Sequence, residues 1–412
     1  MKRAIGFVAL SVAVASASGA ALAAAPVDTG LIIVPDSGDS AWLLGCTMIG
    51  VLTAIPGLLL YVTAPQTQAL QKVATAATAA IAISTLLFFL FGYSLAFSPD
   101  GSVWIGGTSQ SMLSLMGTVR EGTTVAETGF VLFQLAMTWA AVALLTGLLA
   151  QRTRAAWRLG FTALWLVLVF VPIMRWIWGG GWLAEMGALD GTGGIAIFLA
   201  VATSAYVALL LIGRGPAKEA SPVNDLARLG GALLLLVGMA ALAGGATLGA
   251  GDNAAVAILA MIAAAMTGAL TNAALHRNLG AGVLASGIVT AIVTIAVSGD
   301  GVSVGSAWLM AAAAVIIVYF AGRLLPQALM PQDDSGIVIQ IAVSAQVGAL
   351  LFAVFLAFEP FQGSGYADGM TMTSQLVAQF IAVVSIAGWS VFGTLVAALM
   401  VGLVTPMRDN GA

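Results

Sequence analysis

The chain has 412 residues, of which 60% are hydrophobic and 8% charged, with a mean hydropathy of +1.06 and a formal net charge of −3. Soluble globular domains carry about 25% charged residues, so this composition excludes a water-soluble fold. Long apolar runs without the alternation of strands predict helices that span a membrane.

The first 25 residues have the pattern of a secretory signal peptide. Lys2 and Arg3 precede a short, Ala-rich apolar core, and the small-residue stretch Ala21-Leu-Ala-Ala-Ala25 precedes Pro26. A basic start, an apolar core and a small-residue cleavage region are the three parts of such a signal. An additional N-terminal transmembrane helix is the alternative interpretation. The predicted organisation is a signal at 1–25, a transmembrane domain at 26–404 and a short cytoplasmic tail at 405–412.

After a polar lead-in, apolar segments repeat to the C-terminus and predict eleven transmembrane helices. Short polar interruptions separate them, and the boundaries near Asp252 and Asp300 are the least marked because only a few Gly, Asp and Asn residues intervene. The predicted spans lie near residues 40–63, 73–97, 128–150, 156–178, 194–213, 229–250, 253–275, 279–298, 303–322, 335–358 and 372–403.

The distribution of basic residues predicts the orientation of these spans. Cytoplasmic loops of membrane proteins are enriched in Lys and Arg. An outside N-terminus leaves only Arg120 and Arg175 outside, and the C-terminus then lies in the cytoplasm. The residues placed inside are Lys72, Arg152, Arg154, Arg158, Arg214, Lys218, Arg228, Arg277, Arg323 and Arg408. The sequence therefore predicts a multi-pass protein of the bacterial inner membrane.

The fifth and tenth predicted spans share an apolar pattern. Gly194-Ile-Ala-Ile-Phe-Leu-Ala-Val-Ala resembles Gly336-Ile-Val-Ile-Gln-Ile-Ala-Val-Ser. A five-helix unit repeated once returns with inverted topology, and substrate paths in such folds lie between the two halves. The predicted fold class is an all-α membrane protein with a 5+5 inverted repeat plus one helix.

Few chemical functions are compatible with the remaining side chains. Paired carboxylates, nucleophile–base sets and metal-ligand clusters do not occur as motifs, so the sequence predicts neither an enzyme nor a cofactor. The single cysteine, Cys46, excludes an intramolecular disulfide. Almost no ionisable groups fall inside the spans, which favours a pore for a small neutral solute, or one that loses its charge on entry. The expected partners are the lipid bilayer and such a solute, and no nucleic acid is expected.

The stretch from Trp165 to Gly194, which contains Arg175-Trp-Ile-Trp-Gly-Gly-Gly-Trp182, resembles the fourth span and following loop of the ammonium transporter/Rhesus (Amt/Rh) superfamily. It is most similar to the bacterial ammonium channels, and further similarities follow in family order over nearly the whole chain after the signal. They are Gly38-Asp-Ser-Ala-Trp42, Ile55-Pro-Gly-Leu58, Phe91-Gly-Tyr-Ser-Leu-Ala-Phe97, Phe133-Gln134, Leu149-Ala-Gln-Arg-Thr-Arg154 and Gly369-Met-Thr-Met372.

The resemblance implies an aromatic cation-recruitment site at the outer mouth, where ring faces attract ammonium. Phe133 and Trp178 match two family aromatics there, although Trp178 could instead be an interfacial belt residue. Asp190 matches the family's acidic residue, which could bias the mouth toward cations or cap the fifth helix. Met137 stands where the family has a second aromatic gate residue, and Ala246 where it has a serine that hydrogen-bonds the cation.

The pore centre departs from the family pattern. The family places one histidine on the fifth span and another on the tenth. The first falls here on Phe198, and the second among Gln340, Ile341 and Ala342. The only histidine of the chain, His276, falls in a predicted cytoplasmic loop. Gln340 could supply one amide hydrogen bond if it faces the lumen, but an amide does not relay protons at neutral pH.

Gln134 could also face the pore, or it could instead join neighbouring helices.

The resemblance implies a channel or transporter that passes ammonium, ammonia or a similar small solute through a pore in each subunit of a homotrimer. The alternative is a non-conducting member that acts as a sensor or a structural membrane protein. A channel for a different neutral solute is a third hypothesis. The short tail puts regulation by the PII protein, a partner of many bacterial relatives, in doubt.

Overall fold

A computed structural model of the chain describes residues 34–63, 67–114, 116–213, 222–324, 336–357, 365–367 and 369–408. The predicted signal at residues 1–25 and the last four residues of the predicted tail lie outside this described part. Eleven long helices form the described body and are labelled α1 to α11 in chain order. They are α1 Ser37–Thr63, α2 Leu70–Phe97, α3 Glu127–Leu149, α4 Ala155–Trp178, α5 Gly194–Ile212, α6 Pro222–Ala246, α7 Asp252–His276, α8 Ala281–Ile295, α9 Val304–Leu324, α10 Ile337–Phe355 and α11 Met372–Gly402.

Every predicted span corresponds to one of these helices, and the largest shift in boundaries is at α6. The prediction was 229–250, whereas α6 begins at Pro222 and ends at Ala246. Proline is favoured in the first turn of a helix, because its missing N–H is not needed there. Leu248 takes a left-handed backbone with φ of 55°, which ends the helical run.

Ten of the eleven helices are long and apolar enough to cross a bilayer, and α8 is shorter. With 15 residues, α8 extends about 22 Å at 1.5 Å per residue, less than the roughly 30 Å of a hydrocarbon core. It is buried from Gly287 to Ile295 and packs against α6, α7, α9 and α10. Protein rather than lipid therefore surrounds most of α8.

Close backbone contact joins α1 to α6. A Cβ added at Gly231 would lie 2.7 Å from the backbone nitrogen of Tyr61 and 2.8 Å from the carbonyl oxygen of Gly57. One added at Gly238 would lie 2.3 Å from the backbone nitrogen of Ala54. Small residues of this kind let membrane helices approach closely and pack by van der Waals contact.

The packing of α1 on α6 and of α5 on α10 is what an inverted repeat requires. These helices hold equivalent positions in the first and second five-helix units, and equivalent elements meet at a pseudo-two-fold axis. The eleventh helix, α11, packs along α5, α4 and α10. The predicted arrangement of five plus five helices and one more fits these neighbours.

Three of the helices contain a π-helical turn. These turns are Phe88–Gly92 in α2, Leu166–Phe170 in α4 and Gly194–Leu199 at the start of α5. A π-helical turn is rare and occurs frequently at functional sites. The turn in α5 packs against α3, α4, α8, α10 and α11, so it lies at the centre of the bundle.

Candidate functional site

Trp178 and Asp190 meet where α4 ends and α5 begins. Trp178 is the last residue of α4, and its indole Nε1 donates a 2.7 Å hydrogen bond to the carbonyl oxygen of Asp190. Asp190 lies in the segment 186–193, which we call the mouth loop. This hydrogen bond fixes the orientation of the indole.

The carboxylate of Asp190 caps the start of α5. Its Oδ2 accepts hydrogen bonds from the backbone N–H groups of Ile195 at 3.0 Å and Ala196 at 2.7 Å. Its Oδ1 is buried and has no hydrogen-bond partner in the described part of the chain. Burial raises the pKa of Asp190 from its ordinary value of 3.8 to about 7, and the backbone N–H groups oppose that rise. One oxygen therefore holds the helix, and the other is buried without a hydrogen-bond partner in the described part of the chain.

The mouth loop is also fixed to the segment that follows α8. The backbone N–H groups of Gly191 and Thr192 donate 2.7 Å hydrogen bonds to the carbonyl oxygens of Val297 and Ala296. A Cβ at Gly191 would lie 2.5 Å from the Cα of Gly299, so only glycine fits this approach. The loop that carries Asp190 is thus attached to both halves of the bundle.

Phe133 lies close to the end of α6. A Cβ at Gly245 would lie 3.2 Å from Cε2 of Phe133, which places the ring beside the residue preceding Ala246. Phe133 and Met137 are buried on α3, and Ala246 is half-buried. The rings of Phe133 and Trp178 do not stack on each other in the described residues. The structure therefore brings Trp178 together with Asp190, and Phe133 together with the end of α6.

Gln134 is buried on α3, and its side-chain Oε1 has no hydrogen-bond partner among the described residues. Its backbone carbonyl accepts a 2.9 Å hydrogen bond from the hydroxyl of Thr138. The amide nitrogen of Gln134 still has two N–H donors, so the pore-facing role and the helix-joining role both stay predictions. The oxygen is available to a solute or to water.

Phe198 lies in the π-helical turn of α5 and is almost completely buried, with 1% of its surface exposed. Its N–H donates 2.9 Å to the carbonyl oxygen of Gly193, the residue whose positive φ of 89° begins the turn. The turn packs along α10, the helix on which the family's second histidine would stand. The side chain that α5 contributes at this position is therefore a phenyl ring.

Gln340 is hydrogen-bonded to neighbouring helices through both the oxygen and the nitrogen of its amide, and its place at the pore centre stays a prediction. Its Oε1 accepts from the Tyr61 hydroxyl at 2.9 Å, while its Nε2 donates to the carbonyl oxygen of Ser286 at 2.9 Å and to Oγ1 of Thr290 at 3.0 Å. This amide therefore connects α10 to α1 and α8. Ile341 is buried and Ala342 half-buried against the core.

His276 is exposed in the last turn of α7 rather than in a loop. Its Nδ1 lies 3.0 Å from the carbonyl oxygen of Asn272, and its ring meets Tyr319 edge-to-face at 4.9 Å. The helix ends one residue beyond the predicted span of 253–275, at His276, and Arg277 then takes a left-handed backbone with φ of 51°. This histidine is remote in the fold from α5 and α10.

The two basic residues that the predicted topology leaves outside both have partners within the fold. Arg120 forms a 3.3 Å ion pair with the buried Glu127, and its guanidinium lies 4.4 Å from the ring centroid of Phe130. Arg175 donates 3.0 Å hydrogen bonds to the carbonyl oxygens of Ser98 and Ser102. They hold the loop between α2 and α3 against the end of the bundle.

Two glutamines of α11 that the sequence analysis did not single out contact the mouth loop. Gln379 and Gln375 are buried, and they bond to the backbone of Leu189 and Gly187. Their spacing of four residues places them on one face of a helix. Buried amides within an apolar span were the available signal, because placing them in hydrocarbon is costly.

These features define a polytopic membrane protein with a buried acidic and aromatic cluster at one end of an eleven-helix bundle. Comparison with known proteins identifies its class. The model of the Ammonium Transporter Family matches residues 41–410. The chain belongs to the ammonium transporter family.

Individual relatives are similar in sequence to this chain over most of its length. An ammonium transporter of Aquifex aeolicus is 32% identical over 333 residues, which cover 78% of this chain and 77% of the relative. An ammonium transporter of Mycobacterium tuberculosis is 30% identical over an alignment of 427 residues, which covers 91% of this chain and 87% of the relative. The crystal structure of Saccharomyces cerevisiae Mep2 has a TM-score of 0.80 at 22% identity, covers 91% of this chain and 88% of its own, and shows the same fold.

Proposed function

We propose that this chain passes ammonium, or the ammonia formed from it, across a membrane through the centre of its helix bundle. The names of the relatives, ammonium transporters, support this substrate. The observation that carries the proposal is the pair of Trp178 and Asp190. The indole is hydrogen-bonded to the backbone carbonyl of Asp190, and the buried carboxyl of Asp190 has one oxygen without a hydrogen-bond partner in the described part of the chain. A ring face and a carboxylate are the groups that attract a small cation.

Phe133 and Gln134 would extend this path along α3. Both are buried, and the free Oε1 of Gln134 can accept a hydrogen bond from an N–H group. Past the mouth, the buried phenyl ring of Phe198 would face a solute that has shed its water. An apolar lining disfavours a bare ion and tolerates a neutral molecule, so ammonia is the form that we assign to the centre.

The test is methylammonium or ammonium uptake into vesicles that contain the purified protein. We expect uptake above empty vesicles, and we expect Trp178→Leu to lower it about threefold to tenfold at low substrate concentration, because a cation–π contact contributes about 1 kcal/mol. Trp178→Phe should retain part of the rate, since it keeps a ring. Trp308→Leu, at an exposed tryptophan of α9, is the matched control. Wild-type uptake equal to that of empty vesicles would contradict the proposal.

The second candidate function is a non-conducting sensor or structural member of the family. The buried ring of Phe198 and the full engagement of the Gln340 amide favour it, because neither side chain offers a relay for protons. This function predicts methylammonium binding without flux. Binding by the wild-type protein together with uptake at the level of empty vesicles would support it, and flux would exclude it.

We also propose that the protein is a homotrimer in a bacterial inner membrane, with its mature N-terminus outside, its C-terminus in the cytoplasm and a signal at residues 1–25. The distribution of Lys and Arg supports the orientation. Family membership supports the trimer. The transmembrane domain would then be 26–404 and the cytoplasmic tail 405–412.

A further inference from the structure

Gln379 on α11 holds both backbone hydrogen-bonding groups of a single mouth-loop residue. Its Oε1 accepts from the N–H of Leu189 at 2.8 Å, and its Nε2 donates to the carbonyl oxygen of Leu189 at 2.9 Å. The amide of Gln379 thus satisfies the donor and the acceptor of Leu189 at once. The side chain of Leu189 is 44% exposed, so burial of that side chain contributes little to fixing the residue.

A second amide, one helical turn earlier, reinforces this contact. Gln375 donates a 2.9 Å hydrogen bond from Nε2 to the carbonyl oxygen of Gly187. Gly187 has a φ of 85°, a conformation that favours glycine, and it packs closely against Met370. Gln379 has 0% and Gln375 1% of its surface exposed, so both sets of hydrogen bonds are shielded from water.

Leu189 directly precedes Asp190, so the contact passes to the cation-binding groups through one peptide bond. The carbonyl of Asp190 receives the indole N–H of Trp178, and its carboxylate caps α5. Movement of Leu189 by a fraction of an ångström would shift Asp190 and the Trp178 indole that is bonded to its carbonyl oxygen, whereas the turn that carries Phe198 is held by its own backbone hydrogen bonds to Gly193. Positioning of this kind is effective because binding groups must be held closely to their geometry.

We infer that Gln379 is a positioning residue for substrate recruitment, which it serves by clamping the Leu189 backbone and so fixing Asp190 and Trp178. This inference rests on the proposed function, because it assigns the mouth loop to cation recruitment. Gln375 strengthens the same clamp at Gly187. The glutamine itself does not touch the substrate.

The inference predicts a change in affinity with little change in maximal rate. Loss of both hydrogen bonds in Gln379→Leu should raise the methylammonium concentration at half-maximal uptake about tenfold. The maximal rate should stay within about twofold, since the pore centre at Phe198 is unaltered. Gln375→Leu should have a smaller effect, and Gln346→Leu, at an exposed glutamine of α10, should have none.

Gln379→Glu gives a readout that a purely structural role would not move. A protonated carboxyl has one acceptor and one donor, like the amide, whereas a carboxylate has no donor for the carbonyl of Leu189. We therefore compare the half-saturating methylammonium concentration of the variant with that of the wild-type protein at the same pH. The ratio of the two should approach one at acidic pH and rise at alkaline pH. Asp190 and Glu185 are the ionisable groups in and beside the mouth loop, and α11 carries none from Met372 to Gly402. Both groups are present in the variant and in the wild-type protein. The ratio of the two concentrations therefore removes the effect that they have on uptake in both proteins.

Hydrogen exchange separates a failure of this inference from a failure of the proposed function. Methylammonium should protect the backbone around residues 187–196, and the concentration that gives half-protection should rise in Gln379→Leu even if no flux occurs. If Gln379→Leu weakens this protection while the wild-type protein shows no flux, the proposed transport function is wrong and the positioning role of Gln379 is retained. An unchanged half-saturating concentration in Gln379→Leu, for uptake or for protection, would overturn the inference.

Discussion

The two carboxylate oxygens of Asp190 have different surroundings. Its Oδ2 accepts the N–H groups that begin α5, while its Oδ1 is buried without a partner in the described structure. Desolvation disfavours the ionised carboxyl and raises its pKa to about 7, against the opposing effect of the backbone N–H groups. The charge at the mouth therefore depends on pH near neutrality.

Asp190→Asn is expected to remove this pH dependence. In the wild-type protein, the half-saturating methylammonium concentration should fall as pH rises through about 7, because the carboxylate forms and attracts the cation. Asparagine keeps an oxygen for the cap and cannot ionise, so its half-saturating concentration should be higher and flat with pH between 6 and 8. Uptake kinetics over that range provide the measurement.

The stability of the same variant provides an independent check. Because the folded-state pKa of Asp190 lies above 3.8, the folded state holds its proton where the unfolded chain has lost it, and stability falls as pH rises from about 4 to about 7. The Tm of the wild-type protein should show this fall, and Asp190→Asn should show less of it. A Tm with the same pH profile in both proteins would rule out the assigned pKa.

At this scale, the sequence predicted which types of residue stand at the mouth but not how they are connected. The family pattern led to Trp178 and Asp190, and the structure joins them. The hydrogen bonds of Gln340 could not be predicted, because a single glutamine in an apolar helix gives no indication of its partners. Tyr61 and Thr290 lie 279 and 50 residues away in the chain, so only the tertiary fold brings them together.

At the scale of the helices, the apolar runs predicted the existence and the order of the eleven helices accurately, and their first and last residues less accurately. The hydrocarbon core dictates helix length, which makes each span visible in the sequence. The π-helical turns of α2, α4 and α5 could not be predicted in this way. An inserted residue leaves hydropathy unchanged, and only the packing of neighbouring helices decides where it is accommodated.

The close contact of α1 with α6 gives a test of helix packing with an adjacent control. Gly231→Ala should lower the Tm, because its Cβ would meet the backbone of Tyr61 and Gly57 and force the helices apart. A cost of about 1–3 kcal/mol is expected for such overpacking. Gly230→Ala should leave the Tm unchanged or raise it, since nothing lies within 4 Å of a Cβ there. Equal Tm values for both variants would refute the contact.

At the scale of the whole molecule, the orientation can be tested by labelling single cysteines. In a Cys46→Ala background, Glu121→Cys in the loop between α2 and α3 should react with a membrane-impermeant maleimide in intact cells. Asn278→Cys, between α7 and α8, should react only after the membrane is opened. Both positions are exposed, so accessibility in the fold does not separate them. The reverse pattern would show an inside N-terminus.

The glycine contact between α1 and α6, together with the bonds from Gln340 to α1 and α8, bears on how solutes can cross. An alternating-access carrier must rock one half against the other, and here that motion would separate backbones in direct contact and break the hydrogen bonds of Gln340 to α1 and α8. A bundle with these contacts favours a channel, in which the solute moves through a fixed pore and the helices do not rearrange. Its turnover should then vary only weakly with the fluidity of the surrounding lipid.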